Sequence, residues 1–155
     1  MSEAIKLDPK AVVEEALRFN QKLAAGLNTL RAVDDVQFGC TDKEAIYRED
    51  KVVLYRFKGE KPPTAKVPIL IAYALVNRPY MVDLQEDRSL VRNLLARGED
   101  VYLIDWGYPD RSDRWLTLDD YINGYIDRCV DAVCDRHGLS AINLLGICQG
   151  GAFSI

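Results

Sequence analysis

Apolar residues recur at steps of three and four from Val12 through Ala16, Phe19, Leu23 and Leu27 to Leu30, which puts them on one face of a helix. Asp8 is a good N-cap and Pro9 suits the first helical position, so residues 8–30 read as an amphipathic helix. Its stripe either packs on the domain or offers a surface to another subunit or an apolar polymer phase. Residues 34–50 are polar and mixed and read as a linker. The chain thus divides into an N-terminal helix with linker, 1–50, and a domain, 51–155.

The period changes at Lys51. KVVLYRF (51–57) is rich in β-branched and aromatic residues and is ended by Gly59, Pro62 and Pro63. VPILIAYAL (67–75) is nearly all apolar, as for a strand covered on both faces. SLVRNLLAR (89–97) has helical spacing with Gly98 at its end, and DVYLID (100–105) reads as a strand. Thr117–His137 reads as the longest helix of the 51–155 domain, opened by a capping box of Thr117 and Asp120 and closed by Gly138. Its buried stripe is expected at Leu118, Ile122, Tyr125, Cys129 and Val133. AINLLGI (141–147) is a final strand leading into a helix start. Strands alternating with helices predict an α/β fold built on a parallel sheet with helices on its faces.

Composition narrows the class. The chain has 155 residues, enough for one domain with a real core, and 48% of them are hydrophobic. Twenty Lys+Arg against 24 Asp+Glu leave a net charge of −4, which argues against a nucleic-acid binder. The longest apolar run, Ile69–Val76, is far below the roughly 20 residues of a spanning helix, so no transmembrane segment is expected. MSEAIKLDPK has no apolar signal core. The four cysteines then read as reduced cytoplasmic thiols.

The chemistry concentrates in Gly146-Ile147-Cys148-Gln149-Gly150. After an apolar strand and before Gly151-Ala152-Phe153, this is a nucleophile elbow, G-x-S-x-G, with Cys in the serine position. A sharp strand-to-helix turn lifts the central side chain off the sheet, and Gly146 and Gly150 are needed where a side chain would strike the turn. The same five residues also fit an inert cysteine packed between glycines. As a nucleophile, Cys148 would stand at a helix start, where free N–H groups favour the thiolate. A thiolate attacking a thioester yields another thioester, so the acyl group stays activated; that points to acyl transfer more than to hydrolysis. The oxyanion hole would use the N–H of Gln149 and a second amide after the 67–75 strand, from either Val76 or Asn77. Asp105 and Trp106, at a strand's C-terminal end, shape a pocket or simply form a turn. Cys129 and Cys134 lie about 140° apart around a helix, which suits neither a metal pair nor a disulfide; no metal site is expected. Cys40 has no evident partner.

His137 is the single histidine. It ends the helix before the last strand, whereas Cys148 follows that strand. At about 3.3 Å per residue the two are on the order of 20 Å apart, on opposite edges of the sheet. His137 therefore reads as a charge acceptor at a helix C-terminus, and the base for Cys148 is expected outside this chain.

ALVNRPYMVDLQEDRSLVRNLLARGEDVYLIDWGYPD, LTLDDYINGYIDRCV and NLLGICQGGAFSI closely resemble the catalytic subunits of class III polyhydroxyalkanoate synthases, and the resemblance runs over essentially the whole chain. It implies an α/β-hydrolase fold and polymerisation of (R)-3-hydroxyacyl-CoA, typically 3-hydroxybutyryl-CoA, with coenzyme A as part of substrate and product and no separate cofactor. It implies Cys148 as the nucleophile that carries the growing chain as a thioester. It also implies a second, non-catalytic subunit and a cytoplasmic protein associated with polyester storage granules. The family's catalytic Asp and His fall after the position where this sequence ends, in apolar sequence at Ile155. The expectation is thus an N-terminal part of the subunit, truncated after the elbow and inactive alone. A cysteine-elbow hydrolase of esters or thioesters, and a non-enzymatic binding module, are the competing readings.

Overall fold

The computed structural model describes residues 8–32 and 38–155. Residues 34–37 of the expected linker, and the N-terminal residues 1–7, lie outside that set. The chain divides into two compact units, Met1–Val36 and Gln37–Ile155. In the first, α1 runs from Pro9 to Ala32. The Asp8 carboxylate accepts the Lys10 N–H at 3.0 Å and so caps it. Val12, Phe19, Leu23, Leu27 and Leu30 are all exposed along the helix.

The second unit opens with a strand where a linker was expected. β1 (Lys43–Glu49) and β2 (Val52–Phe57) form an antiparallel hairpin across Asp50–Lys51, with Asp50 at φ 49°. The segment KEAIYRE escapes a hydropathy reading because its two core-packing residues, Ile46 and Tyr47, are flanked by charged ones that form ion pairs. Glu49 pairs with Arg128 at 2.5 Å and Glu44 with Arg136 at 3.3 Å. The domain therefore begins before Lys51.

The remaining elements are β3 (Ile69–Ala72), a small hairpin of β4 (Asp83–Gln85) and β5 (Arg88–Ser89), α2 (Leu90–Ala96), β6 (Val101–Asp105), α3 (Asp127–His137), β7 (Asn143–Gly146) and α4 (Gln149–Phe153). A π-helical stretch, Asp120–Ile126, runs into α3. The expected capping box is present: Thr117 N–H donates to Asp120 Oδ2 at 2.7 Å, and Asp120 N–H to Thr117 Oγ1 at 3.4 Å. Gly138 ends α3 in the left-handed conformation at φ 63°. Of the expected stripe, Tyr125, Cys129 and Val133 are buried, but Leu118 is exposed. Ile126 is buried as well. The π-helical stretch follows Leu118, and its wider turn breaks the simple 3.6-residue spacing that would have put Leu118 on the same stripe.

The five-stranded sheet has the order β1-β2-β6-β3-β7. β6, β3 and β7 are parallel, whereas β1 and β2 join antiparallel. The sheet is thus mixed rather than wholly parallel, because the two-residue connection of β1 to β2 permits only an antiparallel pair. Alternation along β6 divides the core. Tyr102 and Ile104 face Cys129 and Val133 of α3, while Val101 and Leu103 face Val91 of α2. Helices therefore cover both faces, and full burial of a side chain such as Leu70 or Ile71 contributes about 1.5–3 kcal/mol. These covered strands form a rigid base whose C-terminal edge carries the elbow.

Candidate active site

β7 ends at Gly146 and α4 begins at Gln149, so the chain reverses within Ile147-Cys148. The turn is closed by Gly150 N–H to Ile147 O and Gly151 N–H to Cys148 O, both 3.0 Å. Cys148 sits at φ 57°, ψ −125°, an unusual backbone for an L-residue that costs on the order of 1–3 kcal/mol, and its side chain is exposed. The flanking glycines are sterically required. A Cβ at Gly150 would stand 2.0 Å from Ala72 O, and one at Gly146 2.5 Å from Gly151 Cα. The helix start is thus pressed against the end of β3, and Cys148 is the side chain projecting from the corner.

β3 is shorter than its apolar run. Pro68 precedes it, and after Ala72 the chain leaves the sheet to cross the elbow although Tyr73 and Ala74 remain buried. Two bonds hold this crossing. Trp106 Nε1–H donates to Tyr73 O at 3.0 Å, and Leu75 N–H donates to the Gln149 side-chain Oε1 at 3.1 Å. The next residues are Val76, 78% exposed, and Asn77. Among the described residues the N–H groups of Val76, Asn77 and Gln149 have no protein acceptor. Sequence reasoning used only the Gln149 amide and missed its side chain; a long polar residue beside the nucleophile was the available signal.

Asp105 and Trp106 lie at the end of β6, on the same edge as the elbow. Asp105 Oδ1 accepts the Gly107 N–H at 3.0 Å and lies 3.7 Å from Arg78 Nη2. Trp106 is buried and packs edge-on against Tyr121, with ring centroids 5.6 Å apart. Gly107, at φ 71°, has its Cα so close to the Lys51 carbonyl that a Cβ would approach within 2.6 Å. Both residues brace the crossing segment from behind.

His137 stands at the other edge. Its Nε2 is 2.8 Å from the Tyr102 hydroxyl and 3.5 Å from Asp100 Oδ2, and Asp100 is gripped by Arg56 through two bonds of 2.9 Å. Asp100 holds the Arg56 guanidinium above its ordinary range. The register pairs Ile69 with Val101 and Asn143 at this edge and Ala72 with Gly146 at the elbow's edge. The sheet therefore separates His137 from Cys148. Cys40, Cys129, Cys134 and Cys148 are all free thiols. Cys129 is buried in the α3 core, which pushes its thiol up to about 12. Among the described residues no group of three or more His, Cys, Asp or Glu is arranged to hold a metal ion, and no helix is long and apolar enough to cross a membrane. A cavity of about 650 Å³, lined by residues including Cys40, Lys58, Arg92, Leu95 and Arg97, lies away from the elbow.

The chain is 58% identical over 153 residues to the poly(3-hydroxyalkanoate) polymerase subunit PhaC of Allochromatium vinosum, covering 97% of this chain and 43% of that one. It is 59% identical over 145 residues to the subunit of the same name from Synechocystis sp., covering 92% and 38%. The chain thus spans about two-fifths of the length of these curated relatives. Among solved structures, the Francisella virulence factor BioJ superposes with a TM-score of 0.50 at 17% identity, over 88% of this chain and 44% of that one; at that identity the likeness concerns the fold. The family model described as alpha/beta hydrolase fold matches residues 67–155, the stretch from β3 through the elbow. With strand, crossing segment, elbow and sequence match in agreement, the chain is a member of the alpha/beta hydrolase fold family.

Proposed function

We propose that this chain carries the nucleophile of a polyhydroxyalkanoate synthase, an acyltransferase that polymerises (R)-3-hydroxyacyl-CoA and releases coenzyme A. The observation that carries the reading is the exposed Cys148 at a positive-φ strand-to-helix corner, in a sequence 58% identical to a polymerase subunit. The Cys148 sulfur attacks the thioester carbonyl of the acyl-CoA. The carbonyl oxygen becomes an oxyanion held by the Gln149 N–H and by the N–H of Val76 or Asn77. Collapse of that intermediate expels coenzyme A thiolate and leaves the acyl group on Cys148 as a thioester. The 3-hydroxyl of another acyl unit then attacks that thioester, an ester bond forms and the thiol is regenerated.

Both the thiol and the hydroxyl need a base. His137 is on the wrong edge of the sheet, so the base is the Asp and His that the synthase resemblance places after this sequence. A polypeptide confined to residues 1–155 accordingly has no turnover. The partners under this proposal are a second, non-catalytic subunit and the polyester granule surface, in the cytoplasm. The exposed apolar stripe of α1 supports an apolar partner.

The test uses the complete protein containing this sequence with 3-hydroxybutyryl-CoA. Cys148→Ala is expected to reduce coenzyme A release to the enzyme-free level, because the sulfur is the covalent carrier. Polymer formation by that variant overturns the assignment. Coenzyme A release from the unaltered protein with only free 3-hydroxybutyrate as product would make it a thioester hydrolase instead.

A further inference from the structure

We propose that Arg78 is a positioning residue that sets the second oxyanion amide against Cys148; this rests on the reading of Cys148 as an acyl-accepting nucleophile. The crossing segment is pinned at Leu75, whose N–H is bonded to Gln149 on the elbow itself. Its next fixed point is Arg78. Arg78 Nη1 donates to Gly107 O at 2.7 Å, Nη2 lies 3.7 Å from Asp105 Oδ1, and the guanidinium carbon stacks 3.5 Å from the Tyr108 ring centroid. Only Val76 and Asn77 lie between these pins, and they are the two residues whose N–H can complete the oxyanion hole.

Among the described residues no hydrogen bond of their own holds that pair in place. Val76 is 78% exposed, so its side chain supplies little packing. Pro79 follows Arg78 and restricts it to extended backbone, observed at φ −79°, ψ 140°, which fixes the exit direction of the segment. Arg78 Nε is buried with no hydrogen-bond partner among the described residues. An unpaired buried N–H costs about 1–3 kcal/mol. The guanidinium accepts that cost to keep the orientation set by Gly107, Asp105 and Tyr108. A planar fork that also stacks is a property of arginine and not of lysine. The oxyanion amide is thus positioned by the end of β6, through Arg78, as much as by β3.

Two reactions of Cys148, each read at that residue by mass spectrometry, separate this role from general damage in the complete protein containing this sequence. Alkylation by iodoacetamide displaces iodide at a saturated carbon and forms no oxyanion. Acylation by p-nitrophenyl butyrate at alkaline pH forms a sulfur–carbon bond through a tetrahedral oxyanion and expels p-nitrophenolate, with the thiol proton lost to buffer. Arg78→Ala is expected to slow acylation by at least about tenfold, since small displacements of catalytic groups have effects of that order, while alkylation is unchanged. Arg78→Lys should behave like Arg78→Ala. Tyr108 is 71% exposed, so Tyr108→Ala leaves the core intact; it should show a smaller loss confined to acylation. Unchanged acylation in the Arg78 variants, equal slowing of both reactions, or full rescue by lysine overturns the proposal. An unaltered chain that alkylates but does not acylate refutes the nucleophile reading instead, and the role of Arg78 falls with it.

Discussion

Gly150 and Gly138 are both glycines at the start or end of a helix, yet they answer to different physics. At Gly138 a Cβ would meet nothing within 4 Å, and only the positive φ resists a side chain. Gly138→Ala is expected to cost about 1–2 kcal/mol, the price of a left-handed L-residue. At Gly150 a Cβ would stand 2.0 Å from a backbone oxygen of the covered strand β3, which has no room to retreat. Gly150→Ala should therefore cost more than about 4 kcal/mol. Urea unfolding of the two variants decides the matter; equal costs would mean that the elbow has slack and does not fix Cys148 sterically. The motif announced this position, but the atom it avoids, Ala72 O, belongs to a strand 78 residues earlier in the chain and could not be read from the motif.

Among the elements, legibility followed hydrophobicity. β2, β3, β6 and α2 were readable because each buries side chains, and β7 because Leu144 and Leu145 pack partly on the two core clusters; hydropathy reports burial. The elbow was readable because glycine and a reactive side chain at fixed spacing leave a local signature. β1 was not, since its two core-packing side chains, Ile46 and Tyr47, stand among charged residues that make contacts of their own: Glu44 with Arg136, Glu49 with Arg128 and Lys43 over the Tyr55 ring. The π-helical stretch was hidden because its wider turn has no compositional mark, and the two clamps on the crossing segment join residues distant in sequence. The ion pairs on β1 have a measurable consequence. At 1 M salt, where screening acts within about 3 Å, amide hydrogen exchange in β1 should accelerate while β3 and β6 stay protected. Uniform protection across the sheet at both salt concentrations would show that β1 is held by packing after all.

At the scale of the whole molecule, the two outer strands are unlike. β1 presents Lys43 and Arg48 and is broken by a bulge between Ala45 and Tyr47, features that discourage pairing with another chain. β7 has no charged side chain. Asn143 and Ile147 donate their N–H groups to Pro68 O, just before β3, and to Ala72 O at its end, so those of Leu144 and Gly146 point away from the sheet. The 155-residue polypeptide should accordingly associate through β7, with a sedimentation coefficient that rises with concentration. Leu144→Pro removes one outward donor without touching the bonds to β3 and should shift the population toward monomer. A concentration-independent monomer would place the association-prone surface elsewhere. The C-terminal end of the inner strand β6 also leads into an optical marker. Of the two tryptophans, Trp106 is sealed in the core with its indole bonded to Tyr73 O, and Trp115 is 77% exposed. Replacing Trp115 with phenylalanine would leave a single fluorophore attached to the segment that crosses above Cys148, so its emission colour would register any loosening of that segment when an acyl group is loaded.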